Sequence, residues 1–211
     1  MITSKKELRF YIMADRIMNG LSARRNIRER LGLFTPPHFK IINTLRYMRI
    51  TCYYKGKKNL SCIDRIRGAW SSYMYGKLSL RLGFSIGCNV FGYGLVIPHY
   101  GTIVVNDEVK VGNFCVLHTS TCIGGNDKII GNGLYLATGA KIIGHLILGD
   151  GVSVAANSLV NKSAGSHLLL TGNPAIIKNR DYPFWWERDG EKYAQRVLAV
   201  ENLRKQMNLI I

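Results

Sequence analysis

The sequence predicts a mainly β fold, a left-handed parallel β-helix that follows a helical N-terminal region and precedes a C-terminal helix. The first observation behind this prediction is an aliphatic residue at every sixth position, and the second is apolar residues at helical spacing on both sides of that repeat. A six-residue period fits neither an α-helix nor a hairpin sheet. It fits a triangular coil built from three strand-and-corner units. The uninterrupted anchors are Ile130, Leu136, Ile142, Leu148, Val154 and Val160.

The repeat continues upstream with one irregularity. Four earlier anchors keep the same period, and one inserted residue separates them from the later six. Ten anchors make a little over three coils, and the glycine-rich segment 83–104 adds roughly one more. An ordinary β-sandwich with coincidental spacing is the alternative. The earlier anchors are Val105, Val111, Leu117 and Ile123.

The chain is expected to have three parts. They are a basic helical region over residues 1–82, the β-helix over residues 83–180, and an aromatic cap with a C-terminal helix over residues 181–211. We expect a first helix near residues 4–18, separated by Pro36-Pro37 from two more, and the aromatic stretch 182–186 is predicted to close an open end of the β-helix core. The apolar faces of the second and third helices are Ile41, Leu45, Met48 and Cys52, and then Ile63, Ile66, Trp70 and Tyr73. The C-terminal helix has Tyr193, Val197, Val200, Met207 and Ile211 at helical spacing.

Positive charge is concentrated in the N-terminal third of the chain. Residues 1–81 contain 18 Lys and Arg against 4 Asp and Glu, whereas residues 82–167 contain 4 of each. Such a block favours phosphate-rich partners or an anionic membrane surface, and a solvated helical face is the alternative. No recognition motif accompanies the charge, so a nucleic-acid partner is not expected.

Cysteine usage and hydropathy bear on the location of the protein. The five Cys are odd in number, form no CxxC motif and lack a secretory context, which predicts a reducing cytoplasmic compartment. Segment 82–106 contains no Lys, Arg, Asp or Glu, but its glycines and Pro98 argue against a membrane-spanning helix. The basic region leaves open a peripheral position at the inner face of the membrane.

Four motifs carry a family resemblance: GLVIPHYGTIVV (94–105), VGNFCVLHTSTCIGG (111–125), ATGAKIIG (137–144) and TGNPA (171–175). They resemble the hexapeptide-repeat acyltransferases of the serine acetyltransferase type. The N-terminal helices are similar to a shorter subgroup associated with the biosynthesis of capsular and other surface polysaccharides. The resemblance implies acetyl-CoA as donor, a hydroxyl acceptor, no metal, and a homotrimer with active sites between neighbouring prisms.

The same resemblance implies that His99 is the general base of a direct transfer in a ternary complex. A hydroxyl is a weak nucleophile, and an imidazole with an ordinary pKa of about 6.5 can take its proton during attack. His118 follows nineteen residues later, about one coil, so we expect it near His99, where it orients the base or contacts the acceptor. A corner histidine satisfied by the backbone is the alternative for His118. Cys115 and Cys122 are expected to fill corners rather than to carry an acyl group.

A donor site along the later coils is implied as well. The pantetheine arm would approach the backbone closely there, which requires small residues, although prism corners also require small residues for packing alone. Lys162 and Lys178 are predicted to meet the phosphates of the coenzyme as point charges. By motif match, the small residues are Gly124, Gly125, Thr138, Gly139, Ala155 and Ala156.

The expected acceptor is a sugar hydroxyl of a surface polysaccharide or of its lipid-linked precursor. The serine-specific pattern has Asp where this chain has Ser85 and Pro98, and it has an Arg-His pair in a loop that is shortened here around Lys128. Recognition of free serine without partners for its two charges costs on the order of several kcal/mol. Ser85, Tyr100, Asp107 and Lys128 are the predicted acceptor-binding residues. Serine O-acetylation in cysteine biosynthesis remains the alternative, because Lys128, Asp107 or Glu108 could supply a missing charge.

Two other classes of function remain open. The prism could be a non-catalytic trimeric scaffold, or it could bind a metal and hydrate a small molecule, as hexapeptide-repeat carbonic anhydrases do. The second function needs three histidines at one point, and only His99 and His118 are expected to lie close together.

Overall fold

The computed structural model describes residues 2–27, 29 and 37–211. Three helices come first, α1 (Lys5–Met18), α2 (Pro37–Gly56) and α3 (Cys62–Leu82), and two come last, α4 (Trp185–Arg188) and α5 (Glu191–Gln206). Of the predicted Pro36-Pro37 break, Pro37 is the first residue of α2 and Pro36 lies outside the described residues. None of the described helices is both long enough and apolar enough to cross a membrane.

Short strands fill the middle of the chain and stack into three faces. They are β1 (Phe84–Ile86), β2 (Ile103–Val105), β3 (Lys110–Val111), β4 (Val116–Leu117), β5 (Thr121–Ile123), β6 (Ile129–Ile130), β7 (Tyr135–Leu136), β8 (Lys141–Ile142), β9 (Ile147–Leu148), β10 (Ser153–Val154), β11 (Leu159–Val160), β12 (Leu169–Gly172) and β13 (Ala175–Asn179). Face A has the order β1-β2-β5-β8-β11, face B the order β3-β6-β9, and face C the order β4-β7-β10-β12. The β13 strand closes face C by pairing antiparallel with β12.

The ladders within each face are parallel, and each joins a residue to its counterpart one coil later. Ile103 lies opposite Thr121, and Cys122 lies opposite Lys141. The predicted parallel β-helix with helices on both sides is therefore confirmed. Face A has five strands, so the solenoid has about five turns, slightly more than the anchors alone predict.

The anchors of the six-residue repeat form the interior of the prism. All ten predicted anchors are buried, and Ile142, Leu136 and Val154 have no exposed surface. The inserted residue lies in the loop between β5 and β6, where it lengthens a corner. The anchors on either side stay in register, because Ile123 still pairs with Ile142 and Ile130 with Leu148.

The two long helices before the prism differ in how they use their apolar rows. The predicted row of α2 is buried and joins the prism core. The predicted row of α3 lies on one helical face, but its four side chains are 58–70% exposed. Helix α3 packs on α2 through small residues instead. A Cβ at Gly68 would lie 3.2 Å from the Tyr54 Cβ, and the Thr51 hydroxyl donates a hydrogen bond to the Ser71 hydroxyl at 3.3 Å.

The aromatic stretch before α5 covers the side of the prism and not an open end, so that prediction is wrong. The Trp185 side chain is buried and its Nε1 donates to the Phe114 carbonyl at 2.7 Å. Phe184 and Trp186 stack with 4.3 Å between ring centroids, directly over Gly133. A Cβ at Gly133 would lie within 3 Å of both rings, so the absence of a side chain there makes this contact possible. Helices α1 and α5 complete the same cluster.

A buried ion pair fixes the N-terminal helices to the first coil. Arg49 of α2 donates from Nε and Nη2 to the two carboxylate oxygens of Asp15 on α1, at 2.8 and 3.1 Å. It also donates to the carbonyls of Phe91 and Gly92 at 2.7 and 2.6 Å. Burial opposes the charge of Arg49, but pairing with Asp15 outweighs it and raises the Arg49 pKa.

Candidate active site

Two of the three corners of the prism contain most of the predicted site residues. Corner CA joins face C to face A and comprises segments 98–102, 118–120, 137–140 and 155–158. Corner AB joins face A to face B and comprises segments 106–109, 124–128, 143–146 and 161–163. On corner CA lie His99, Tyr100, His118, Thr138, Gly139, Ala155 and Ala156. On corner AB lie Asp107, Gly124, Gly125, Lys128 and Lys162.

The two histidines lie in consecutive coils of corner CA, as their spacing predicts. The Leu117 N–H donates to the Val96 carbonyl at 3.0 Å, which places the segment after Val96 beside the segment after Leu117. His99 is exposed, and His118 is half-buried. Burial lowers the pKa of His118, and the neighbouring charge of His99 lowers it further. His118 is therefore neutral at neutral pH, and the corner presents two imidazoles side by side.

A row of side chains on face C continues from His118, and no sequence pattern marks it. The ring centroids of His118 and Tyr135 are 5.1 Å apart. The Arg188 guanidinium carbon lies 4.6 Å from the same Tyr135 centroid. Arg188 also donates to the Tyr182 hydroxyl at 3.1 Å and to Asp189 at 2.6 Å. No repeat position marks Tyr135 as special, and Arg188 lies seventy residues from His118 in sequence, so only the fold brings them together.

The small residues of corner CA form the next two coils beyond the histidines. The Gly139 N–H donates to the Thr119 carbonyl, and the Asn157 N–H donates to the Thr138 carbonyl, both at 3.0 Å. A Cβ at Gly139 would lie 2.1 Å from the Asn157 Oδ1, and Gly139 has a φ of +75°, so the next coil and the backbone conformation both favour glycine there. Thr138 and Ala156 are exposed and Ala155 is half-buried, so the coils after the histidines present only short side chains at this corner.

Corner AB holds a buried amine. Lys128 is 1% exposed, and its Nζ has no hydrogen-bond partner among the described residues. The neighbours Gly125, Asn126 and Asp127 are exposed, so the ammonium is tucked beneath a surface loop, where burial lowers its pKa. A Cβ at Gly125 would lie 3.0 Å from this Nζ, and Gly125 has a φ of +85°, so two constraints favour glycine there. Gly124 is less constrained, since its Cβ would meet only Cys122 at 3.5 Å.

The predicted acceptor residues do not form one group. Ser85 and Asp107 line a cleft of about 550 Å³ between α3 and corner AB, together with Tyr75 and Gly124. Tyr100 is 62% exposed beside His99 on corner CA. Lys128 lies on corner AB as Asp107 does, but it is buried and is not one of the residues that line the cleft, so one copy of the chain does not bring the four residues into one group.

The predicted phosphate contacts lie near the last coils. Lys162 is exposed on corner AB, and Lys178 is exposed on β13 at the end of face C. Burial raises the pKa of the Cys115 thiol to about 12, which leaves it protonated and unreactive. Among the described residues, no group of three or more His, Cys, Asp or Glu is arranged to hold a metal ion.

Comparisons with known proteins identify relatives of this fold. No protein-family model matches the chain. The chain is 28% identical over 151 residues to the serine acetyltransferase of Buchnera aphidicola, which covers 66% of this chain and 52% of the relative. It is 36% identical over 120 residues to serine acetyltransferase 2 of Arabidopsis thaliana, with 51% and 37% covered. A solved serine acetyltransferase in complex with CoA has a TM-score of 0.57 at 22% identity, over 78% of this chain and 67% of that one.

The prism with its flanking helices is the fold of the hexapeptide-repeat acyltransferases. The relatives to which the chain is similar in sequence are serine acetyltransferases. The chain spans about half the length of the first relative and 37% of the second.

Proposed function

We propose that this chain is an acetyl-CoA-dependent O-acetyltransferase. The observation that carries the proposal is the exposed His99 beside the neutral, half-buried His118, with the small residues of two further coils next to them on corner CA. Similarity to serine acetyltransferases supports the same class of reaction, and the CoA complex of one of them supports the donor.

In the proposed reaction, His99 is the general base. Its imidazole takes the proton of the acceptor hydroxyl while the oxygen attacks the thioester carbonyl of acetyl-CoA. The carbon–sulfur bond then breaks, the O-acetyl product forms, and the thiolate of coenzyme A leaves with the proton that His99 returns. His118 holds the neighbouring position as a neutral imidazole, where it orients His99 or contacts the acceptor. The buried Cys115 thiol is unsuited to carry the acetyl group, which favours direct transfer in a ternary complex.

The donor is proposed to lie along corner CA towards the last coils. Thr138, Ala155 and Ala156 present little side-chain bulk there, so an extended pantetheine arm can reach backbone groups. Lys178 lies beyond the last coil, where the phosphates of the coenzyme would end.

A homotrimer is proposed because the predicted residues lie on two corners of the prism. Corner CA presents His99, whereas corner AB presents Asp107, Gly124 and Lys162, with face A between them. Packing three prisms side by side around a threefold axis brings corner CA of one copy against a corner of the next. Light scattering of the purified protein tests this assembly, and a monomer at the concentration of full activity would contradict it.

Serine is the acceptor that the comparisons favour, since the named relatives are serine acetyltransferases. The departures from the serine-specific pattern favour a saccharide, whereas the relatives favour serine, its alternative. For serine, the chain must supply an anion-binding group for the carboxylate. The candidates on corner AB are Lys162, which is exposed, and Lys128, whose ammonium is reached only if the loop over it opens.

A saccharide hydroxyl is the second candidate, and one observation favours it. Ser85 and Pro98 stand where the serine-specific pattern has carboxylates, and Lys128 is buried beneath its loop. With Pro98 at its position, the four segments of corner CA contain no Asp or Glu to hold an ammonium group. A neutral acceptor, such as a sugar unit of a surface polysaccharide or its lipid-linked precursor, requires no such group.

A competition assay decides between the two acceptors. Purified protein at saturating acetyl-CoA is given serine and an oligosaccharide panel, and release of the coenzyme A thiol is measured together with the acetylated product. Turnover of serine with kcat/KM of about 10⁴ M⁻¹s⁻¹ or more supports serine and ends the saccharide proposal. The variant His99→Asn is the control, and coenzyme release that persists in it would be unrelated to the proposed site.

We also propose that the basic N-terminal region contacts an anionic membrane surface. Residues 1–81 have a net charge of +14, from 18 basic and 4 acidic residues. Such a charge favours the inner face of a membrane that contains acidic lipids.

A further inference from the structure

A cleft of about 1010 Å³ opens between α1, α2 and α3, and all of its lining residues lie within residues 5–71. Part of the lining is apolar and aromatic, with Ile12, Met13 and Ile50 near Tyr54 and Trp70. The same lining contains seven Lys and Arg and, among the described residues, no Asp or Glu. The cleft therefore combines an apolar wall with a strongly cationic one.

Carboxylates of the N-terminal region do not neutralise this cleft. The four acidic residues before residue 82 already have partners in the structure. The pairs are Asp15 with Arg49, Glu29 with Arg16, Asp64 with Lys57, and Glu7 with Thr3. The residues outside the description, 1, 28 and 30–36, include no Asp or Glu in the sequence. Only Arg16, of the seven basic residues in the lining, has one of these carboxylates.

The arginines of the cleft repel one another, and Glu29 only partly offsets this repulsion. Burial lowers the pKa of Arg25, and the charges of Arg46 and Arg16 lower it further. Holding like charges together in a half-buried cleft is unfavourable, and an anion bound between them would relieve the repulsion.

The exposed apolar row of α3 borders this cleft. Ile63, Ile66, Trp70 and Tyr73 are 61%, 70%, 59% and 58% exposed, and Trp70 belongs to both the row and the cleft lining. Basic side chains accompany the row, because Arg67 lines the cleft and the Lys77 ammonium lies 5.7 Å from the Tyr73 ring centroid. Exposed Trp, Tyr and Ile beside Lys and Arg are typical of a helix at the surface of a bilayer.

We infer that the cleft binds the phosphate headgroup of an anionic phospholipid while the α3 row lies in the interfacial layer of the membrane. The apolar wall of the cleft accommodates the upper part of the acyl chains, a contact that inorganic phosphate would not use. The inference rests on the proposed membrane contact and adds a specific site to it. It does not depend on which hydroxyl the protein acetylates.

The first test measures binding to phosphatidylcholine vesicles with and without phosphatidylglycerol. The cleft variant is Arg25→Gln with Arg46→Gln, and the charge-matched control is Lys6→Gln with Lys58→Gln, two exposed residues of the same region outside the cleft lining. Each basic residue near an anionic surface contributes about fivefold in affinity, so unspecific attraction predicts similar losses for both pairs. We expect the cleft pair to lose at least about tenfold more affinity than the control pair.

The outcomes separate the cleft from the general membrane contact. If the wild-type protein does not bind the acidic vesicles, both proposals fail. If it binds and the two variants lose affinity equally, the membrane contact stands and the cleft assignment is overturned. Thermal unfolding shows whether each variant is folded, and acetyl transfer tests the proposed activity independently of both.

A second test uses the Trp70 indole, which does not depend on the arginine variants. Acidic vesicles are expected to shift the tryptophan emission to shorter wavelength, and the shift should be absent in Trp70→Phe. In both proteins Trp185 is buried, and Trp186 is half-buried and stacked on Phe184 against the side of the prism. A shift that persists in Trp70→Phe would show that α3 does not enter the interface. Displacement of the protein by inorganic phosphate, or tighter binding of a single-stranded RNA than of vesicles, would overturn the lipid as occupant.

Discussion

Replacing Arg49 with Met is expected to remove much of the stability of the protein. The Asp15 carboxylate would lose both of its bonds to the guanidinium and keep only the Leu95 N–H, at 3.0 Å, within a site where its side chain is 3% exposed. The carbonyls of Phe91 and Gly92 would each lose a charged donor. Breaking a buried pair from one side costs about 3–5 kcal/mol, and an unsatisfied buried carbonyl costs on the order of 1 kcal/mol or more. We expect the free energy of unfolding to fall by about 4–6 kcal/mol, a large share of the 5–15 kcal/mol that is typical of a folded protein.

Urea unfolding followed by circular dichroism measures this loss at a fixed protein concentration, because assembly would contribute to the apparent stability. The double variant Asp15→Leu with Arg49→Met removes both charges and should recover at least half of the loss, since no charge stays buried without a partner. A single Arg49→Met variant within about 1 kcal/mol of wild type would refute the reasoning. So would a double variant that is less stable than the single one.

Four further predictions concern the site and the core. His99→Asn should lower the rate of acetyl transfer about 10²–10⁴-fold. An NMR titration of the same variant should show a raised His118 pKa, because the neighbouring charge of His99 is gone. An unchanged His118 pKa would contradict the proximity of the two histidines. Since the His118 pKa is lowered in the folded protein, stability should fall as the pH drops below about 6.5, and His118→Gln should flatten that part of the urea-derived stability curve. Lys128→Met should raise the free energy of unfolding at neutral pH, measured in urea, by about 1–2 kcal/mol. A lower free energy of unfolding would show that the ammonium has a hydrogen-bond partner. Ile142→Asp should lower the free energy of unfolding by on the order of several kcal/mol, because it buries a carboxylate among aliphatic side chains. A soluble, cooperatively melting variant would show that the repeat register is wrong.

The prism could be predicted from sequence because its repeat is local. Each anchor faces inward for the same geometric reason, so an error at one position does not propagate to the next. The inserted residue between Ile123 and Ile130 was visible as a seven-residue step, and the structure places it in a corner where the ladder tolerates it. The proximity of His99 and His118 followed from the same arithmetic of one coil.

Packing between distant parts of the chain could not be predicted in this way. The spacing of Ile63, Ile66, Trp70 and Tyr73 specified a helix and a face, but it did not specify which face would meet α2. Gly68 and Ser71 decide that, because small residues permit the closest approach of the two helices. The position of the aromatic stretch could not be predicted for a related reason, since the surface that it covers includes Gly133, a glycine that no sequence pattern distinguishes from the other glycines of the prism.

The acceptor depends on a few residues that neither the repeat nor the overall similarity determines. Serine requires an anion-binding group, and burial of Lys128 makes that group conditional on movement of the loop above it. Lys128→Met therefore separates the possibilities through KM. If Lys128 binds the serine carboxylate, the variant should be more stable and yet show a raised KM for serine. In the wild type, the buried Lys128 ammonium would lower stability and bind the substrate. If KM for serine stays the same while stability rises, the ammonium is only a buried charge, and either Lys162 of corner AB binds the carboxylate or the acceptor carries none.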